Sequence, residues 1–201
     1  MPVITQEAAE SAIRPYVDDF IDIVQSAWLD WRRDAIAAQM QHKRVRANYV
    51  WNQLLSGAKR QFDGREGIRV DTLAPWDGVL VGADIFIRMK KADKKLLSRN
   101  YPTKSALAFL DQTSDMFGEV TRLELVYLLD DSETEIERIA LIQRHKKSVV
   151  WMIDLLGTDP MQQNVLPFAE PPSNKLSGSV ASRIIKPKRN LNDDDKDVAG
   201  G

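Results

Sequence analysis

The sequence predicts an α+β fold in which an N-terminal helical hairpin packs on a mainly antiparallel sheet of about five strands, followed by a disordered C-terminal tail. Three observations carry this expectation. Apolar residues recur every three or four positions as far as Phe62, the period shortens to two after Gly67, and it disappears after Pro167. The expected organisation is a helical layer over 1–64, a sheet with one short helix over 65–166 in the same domain, and a flexible tail over 167–201.

Thr5 is placed to cap the first helix, and Pro15 suits the first turn of a second segment better than a helix interior. From there Phe20, Val24, Trp28, Trp31, Ala35 and Ala38 form one buried stripe, and Ala47, Trp51, Leu54, Ala58 and Phe62 form another. The polar run QMQHKRVR between them predicts a bend near residues 40–44, because one uninterrupted helix of that length would need a partner chain.

Beyond Gly67, IRVDTL and VLVGADIFIRM read as two strands joined through APWDG, with Pro75 preset for the turn. On the second strand Val79, Val81, Ala83, Ile85, Ile87 and Met89 share one face, while Asp84, Arg88 and Lys90 lie on the other. That alternation describes a half-buried strand. Thr103 follows Pro102 and is the expected N-cap of a short helix through Leu110. Three further strands, near 122–130, 135–144 and 149–156, are separated by DDSE and HKKS and predict an antiparallel meander.

Composition excludes several chemistries. With no cysteine there are no disulfides, thiolate nucleophiles, iron–sulfur clusters or Cys-ligated zinc. The two histidines, His42 and His145, are too few for a histidine-rich metal centre, and GAKRQFDGREG has neither a GxGxxG spacing nor a Walker lysine. No cofactor or metal is expected. No apolar run reaches the length of a bilayer span and MPVITQEAAES lacks the order of a signal peptide, so a cytoplasmic, non-membrane protein is the default expectation.

The net charge of −1 hides strong segregation. Residues 1–34 hold seven acids against three bases, whereas residues 35–62 hold no acid but carry Lys43, Arg44, Arg46, Lys59 and Arg60. Arg88, Lys90, Lys91, Lys94, Lys95, Arg99 and Lys104 cluster in residues 86–104 against Asp93 alone, and Arg144, His145, Lys146 and Lys147 crowd one hairpin turn. Gathered on one side, these segments would attract a nucleic acid or an acidic protein, with Tyr101 and Trp51 available for stacking. The bland alternative is that lysines after a strand protect an edge and that Trp28, Trp31, Trp51 and Trp151 pack the core. Trp76 differs, because a turn tip is a poor place to bury an indole.

The expected role is therefore a non-catalytic interaction protein with a basic binding face, to which VASRIIKPKR, through Arg183, Ile184, Ile185 and Lys186, adds a tethered contact. A cysteine-free folded body with a linear tail resembles, in architecture and through no family motif, the accessory or antitoxin-like proteins of bacterial toxin–antitoxin and phage-defence systems. An alternative is a metal-independent ribonuclease using Arg88, Lys90, Arg144 and His145, with Tyr101 and Tyr127 nearby. A further alternative is a homo-oligomeric scaffold built through the N-terminal helices. PWDGVLVGADIFIRMKK also resembles, very loosely, the strand pair of the restriction-like nucleases, with Asp77 early and Lys90 late. That family needs an acid where Arg88 stands, and an arginine there repels a metal. The acid pairs Asp18/Asp22, Asp30/Asp34 and Glu135/Glu137 read as solvated faces.

Overall fold

A computed structural model describes residues 4–40, 42–98 and 101–157. The tail, its Arg183–Lys186 contact and Arg99 lie outside the described residues.

Helix α1 (Gln6–Ile13) begins where expected: Thr5 Oγ1 accepts the Ala8 N–H at 3.2 Å. A 3-10 turn carrying Pro15 separates it from α2 (Val17–Arg33). The chain then bends earlier than the polar run suggested. Asp34 leaves the helix, its Oδ1 accepts the Ile36 N–H at 2.8 Å, and α3 (Lys43–Phe62) starts after the turn. Phe20 at the start of α2 meets Phe62 at the end of α3 edge-on at 5.4 Å, and Trp31 at the end of α2 meets Tyr49 near the start of α3 at 5.3 Å. The two helices are therefore antiparallel, as a hairpin requires.

The sheet has six strands rather than five, in sequence order: β1 (Ile68–Leu73), β2 (Trp76–Val81), β3 (Ile85–Lys91), β4 (Thr121–Leu129), β5 (Ile136–His145) and β6 (Ser148–Asp154). The additional strand arises because VLVGADIFIRM is a hairpin rather than one strand. Gly82, at φ +61°, turns the chain, and Val81 then pairs with Ile85 and Val79 with Ile87. Because these paired residues lie directly opposite one another, the face sharing survives the fold-back. Val79, Val81, Ile85, Ile87 and Met89 all enter the core beneath the helices.

All neighbouring strands are antiparallel except β3 and β4, which run parallel with Arg88 opposite Glu124. A parallel pair needs a crossover, and residues 92–120 supply it, including α4 (Lys104–Leu110), capped by Thr103 Oγ1. The helical layer covers one face, where Ile13, Phe20, Val24, Leu54 and Phe62 meet Ile87, Leu123, Leu125 and Leu141. The crossover covers the other. There Phe109, Leu110 and Phe117 pack on Leu80 and Phe86, and Ala92 packs with Val126, Ala140 and Ile142. Every residue of β4 is consequently buried. No described helix is long and apolar enough to cross a membrane.

Candidate functional site: an aromatic and cationic groove

Two-sided burial changes the meaning of the charges on β3 and β4. The sequence reading placed Arg88 on a solvated face, but the crossover covers it and leaves it 1% exposed. It donates to Glu124 Oε1 at 2.5 Å, and its guanidinium lies 4.2 Å from the Phe109 ring and 4.8 Å from the Trp76 ring. Ser98 Oγ also donates to Glu124, and Arg144 Nη1 reaches Glu124 Oε2 at 3.7 Å and donates to the Ser98 carbonyl at 3.1 Å. A second buried arginine, Arg122, donates to the carbonyls of Phe109 and Asp111 and so closes the end of α4. These arginines hold the crossover on the sheet.

The ribonuclease set is thereby divided. Arg88 and Arg144 belong to the buried network. Tyr127 is 4% exposed, and burial pushes its hydroxyl pKa well above the usual tyrosine range, contrary to the needs of a base. His145 sits at the end of β5, where its Nδ1 accepts the Gln112 N–H at 3.3 Å and lies 3.8 Å from Asp111.

The basic segments separate in the same way. Lys146 is 3.5 Å from Asp111, and its backbone N–H donates to the Leu110 carbonyl at 2.7 Å, so Lys146 and Lys147 occupy the turn at the far end of β5. The turn at the other end of that ten-residue strand is about 30 Å away. Lys43, Arg46 and Lys91 gather there on Glu133, and Lys94 pairs with Asp131. Lys95 is exposed in the turn that follows β3.

Two of the three segments do meet. At the C-terminal ends of β3 and β4, where the helical layer and the crossover diverge, lies a groove of about 620 Å³. Trp51 and Arg44 enter from α3, Lys90 and Lys91 from β3, Trp76 from β2 and Tyr101 from the crossover, and none of the lining residues is acidic. Tyr101 is 85% exposed. Trp51 and Trp76 are half-buried, and Trp76 stands edge-on to Phe109 at 6.2 Å. Trp76 thus packs against the crossover rather than projecting alone from a turn. Lys90 is largely desolvated beside Arg88; burial first and the neighbouring guanidinium second hold its pKa below the ordinary lysine value.

The groove can offer flat apolar surfaces for stacking and ammonium or guanidinium donors for an anion within one cavity. The sequence offered Trp51 both as one of a core stripe and as a stacking surface beside the cations, and it lines the groove, while Trp28, Trp31 and Trp151 are core. Comparison of the chain with protein-family models, curated proteins and solved structures finds no match.

Proposed function

We propose that the chain is a non-catalytic binding protein that takes single-stranded nucleic acid in the Trp51–Trp76–Tyr101 groove. One observation carries the reading: four aromatic side chains, Trp51, Trp76, Tyr101 and the buried Tyr127, share a cavity with three cations and no carboxylate among its lining residues. Bases stack on aromatic faces whatever their sequence, and phosphates seek the cations between them. A duplex keeps its bases stacked inside and has no use for such a groove. The antitoxin-like analogy receives no support from the groove and forms no part of this reading.

The test is fluorescence anisotropy with labelled single-stranded and duplex 12-mers of RNA and DNA, measured across a salt series. Single strands should bind in preference to duplexes, and log Kd should rise with log salt by about 0.7 per phosphate engaged. Trp51→Ala and Tyr101→Ala should each weaken binding about tenfold, on the scale of one lost base stack. Retention of an acidic peptide but no oligonucleotide would assign the groove to a protein partner. Shortening of the RNA in EDTA would revive the ribonuclease, and loss of both binding and cleavage would overturn the reading.

A further inference from the structure

Beside the groove, three cations converge on one carboxylate. Glu133 Oε2 accepts from Arg46 Nη2 at 2.6 Å and lies 3.1 Å from Lys43 Nζ, while Oε1 accepts from Lys91 Nζ at 2.7 Å. The loop between β4 and β5 holds the carboxylate there. Asp130 accepts the backbone N–H groups of Thr134 and Glu135 at 2.6 and 2.8 Å, and Glu133 itself adopts a left-handed φ of +54°. That conformation is unfavourable for a residue with a long side chain, and here the surrounding bonds enforce it.

At Glu133 three cations meet one carboxylate, and over the whole cavity Lys43, Arg44, Arg46, Lys91 and Lys94 stand against Glu133, Asp93, Asp130 and Asp131, an excess of one positive charge. The first turn of α3, which contributes Lys43 and Arg46, carries no acid, so the partial positive charge of its free N–H groups adds to the excess. A carboxylate offers two oxygens and one charge. A terminal phosphate offers three oxygens and close to two charges, which matches the three donors better. The cavity containing this cluster, about 630 Å³, shares Arg44, Ala47, Lys91 and Tyr127 with the aromatic groove, so the two adjoin.

We infer, on the premise that the groove holds a single strand, that the Lys43–Arg46–Lys91 cluster is a subsite for the strand's terminal phosphate, occupied in the free protein by Glu133 as an internal stand-in. The substrate class is then a single strand with a phosphorylated end. Binding moves the Glu133 carboxylate aside, and no covalent bond changes.

The experiment compares 12-mers bearing a 5′-phosphate, a 3′-phosphate or hydroxyls at both ends, bound to the wild type, Glu133→Gln and Lys43→Gln. The wild type should prefer one phosphorylated end about tenfold, which identifies the end recognised. Glu133→Gln should tighten binding of that oligonucleotide several-fold more than that of the hydroxyl-ended one. Lys43, whose side chain is 81% exposed, tolerates replacement without loss of the fold, and Lys43→Gln should abolish the preference. Equal binding of all three oligonucleotides overturns the phosphate subsite and leaves the groove reading standing, as does a folded Glu133→Gln that binds no more tightly than the wild type. Absence of binding by all three proteins overturns both.

Discussion

Arg88 and Glu124 face each other across the parallel β3–β4 seam, 2.5 Å apart, each only 1% exposed. Such a pair does more to specify an arrangement than to stabilise it, because desolvation offsets much of the attraction. Removing one partner is another matter. Glu124→Gln leaves two buried guanidinium groups, Arg88 and Arg144, without a counter-charge, whereas Arg88→Met leaves Glu124 still served by Ser98 and Arg144. Urea unfolding should show a loss of about 3–5 kcal/mol for Glu124→Gln and a clearly smaller loss for Arg88→Met. The reverse order would mean that Glu124 is not the hub of the network.

Two glycine replacements should act in opposite directions. A Cβ on Gly78 would lie 2.4 Å from the Ile87 carbonyl and 2.7 Å from the Phe86 ring, so Gly78→Ala should cost about 1–3 kcal/mol. On Gly57, inside α3, the nearest contact would be Ile23 Cγ2 at 3.4 Å, an ordinary distance. Gly57→Ala should therefore stabilise by about 0.5–1 kcal/mol through helix propensity. Thermal melts of both variants check the pair.

Lys90 should show stability and function in opposition. Its ammonium is desolvated beside Arg88 and lines the groove. Lys90→Gln removes a like-charge neighbour, so Tm should rise by a few degrees while affinity for single strands falls. A lower Tm together with unchanged affinity would show that Lys90 serves the fold alone.

Acid should expose the Glu133 cluster. Hydrogen bonds from Arg46 and then Lys91 hold the carboxyl at about 2, against an ordinary 4.5. Because the folded value lies below the unfolded one, the stability this group adds is complete above about pH 4.5 and disappears as pH falls towards 2. Between those limits the wild type should lose stability more steeply than Glu133→Gln, as measured by urea midpoints at intervals of pH. Parallel curves would show that the cluster contributes no acid dependence.

Most of the fold was legible because it rests on local signals. Thr5 and Thr103 cap the helices the sequence assigned to them, and the meander from Thr121 to Asp154 follows its turn residues. The strand count failed at Gly82 because a hairpin whose flanking residues pair directly preserves the inward and outward alternation of a single strand. The burial of Arg88 was illegible for a different reason: a strand reveals which residues share a face, but not what covers that face. The cover here is the crossover, and its partner Glu124 lies 36 residues away. The groove was half legible. Tyr101, Trp51 and the cations were named as types, but Glu133 reads in sequence only as part of an acidic turn, and nothing local indicates that three distant cations converge on it.

The lone parallel pairing has a bearing on how the chain acquires its shape. β1 to β3 and β4 to β6 are each three-stranded meanders whose neighbours are close in sequence, while the seam joining them closes a long loop. Loop-closure entropy makes short-range pairings fast and delays the distant one. Two separately zippered ribbons should therefore form first and dock last along β3 and β4, with Arg88 and Glu124 losing their water only at that final step.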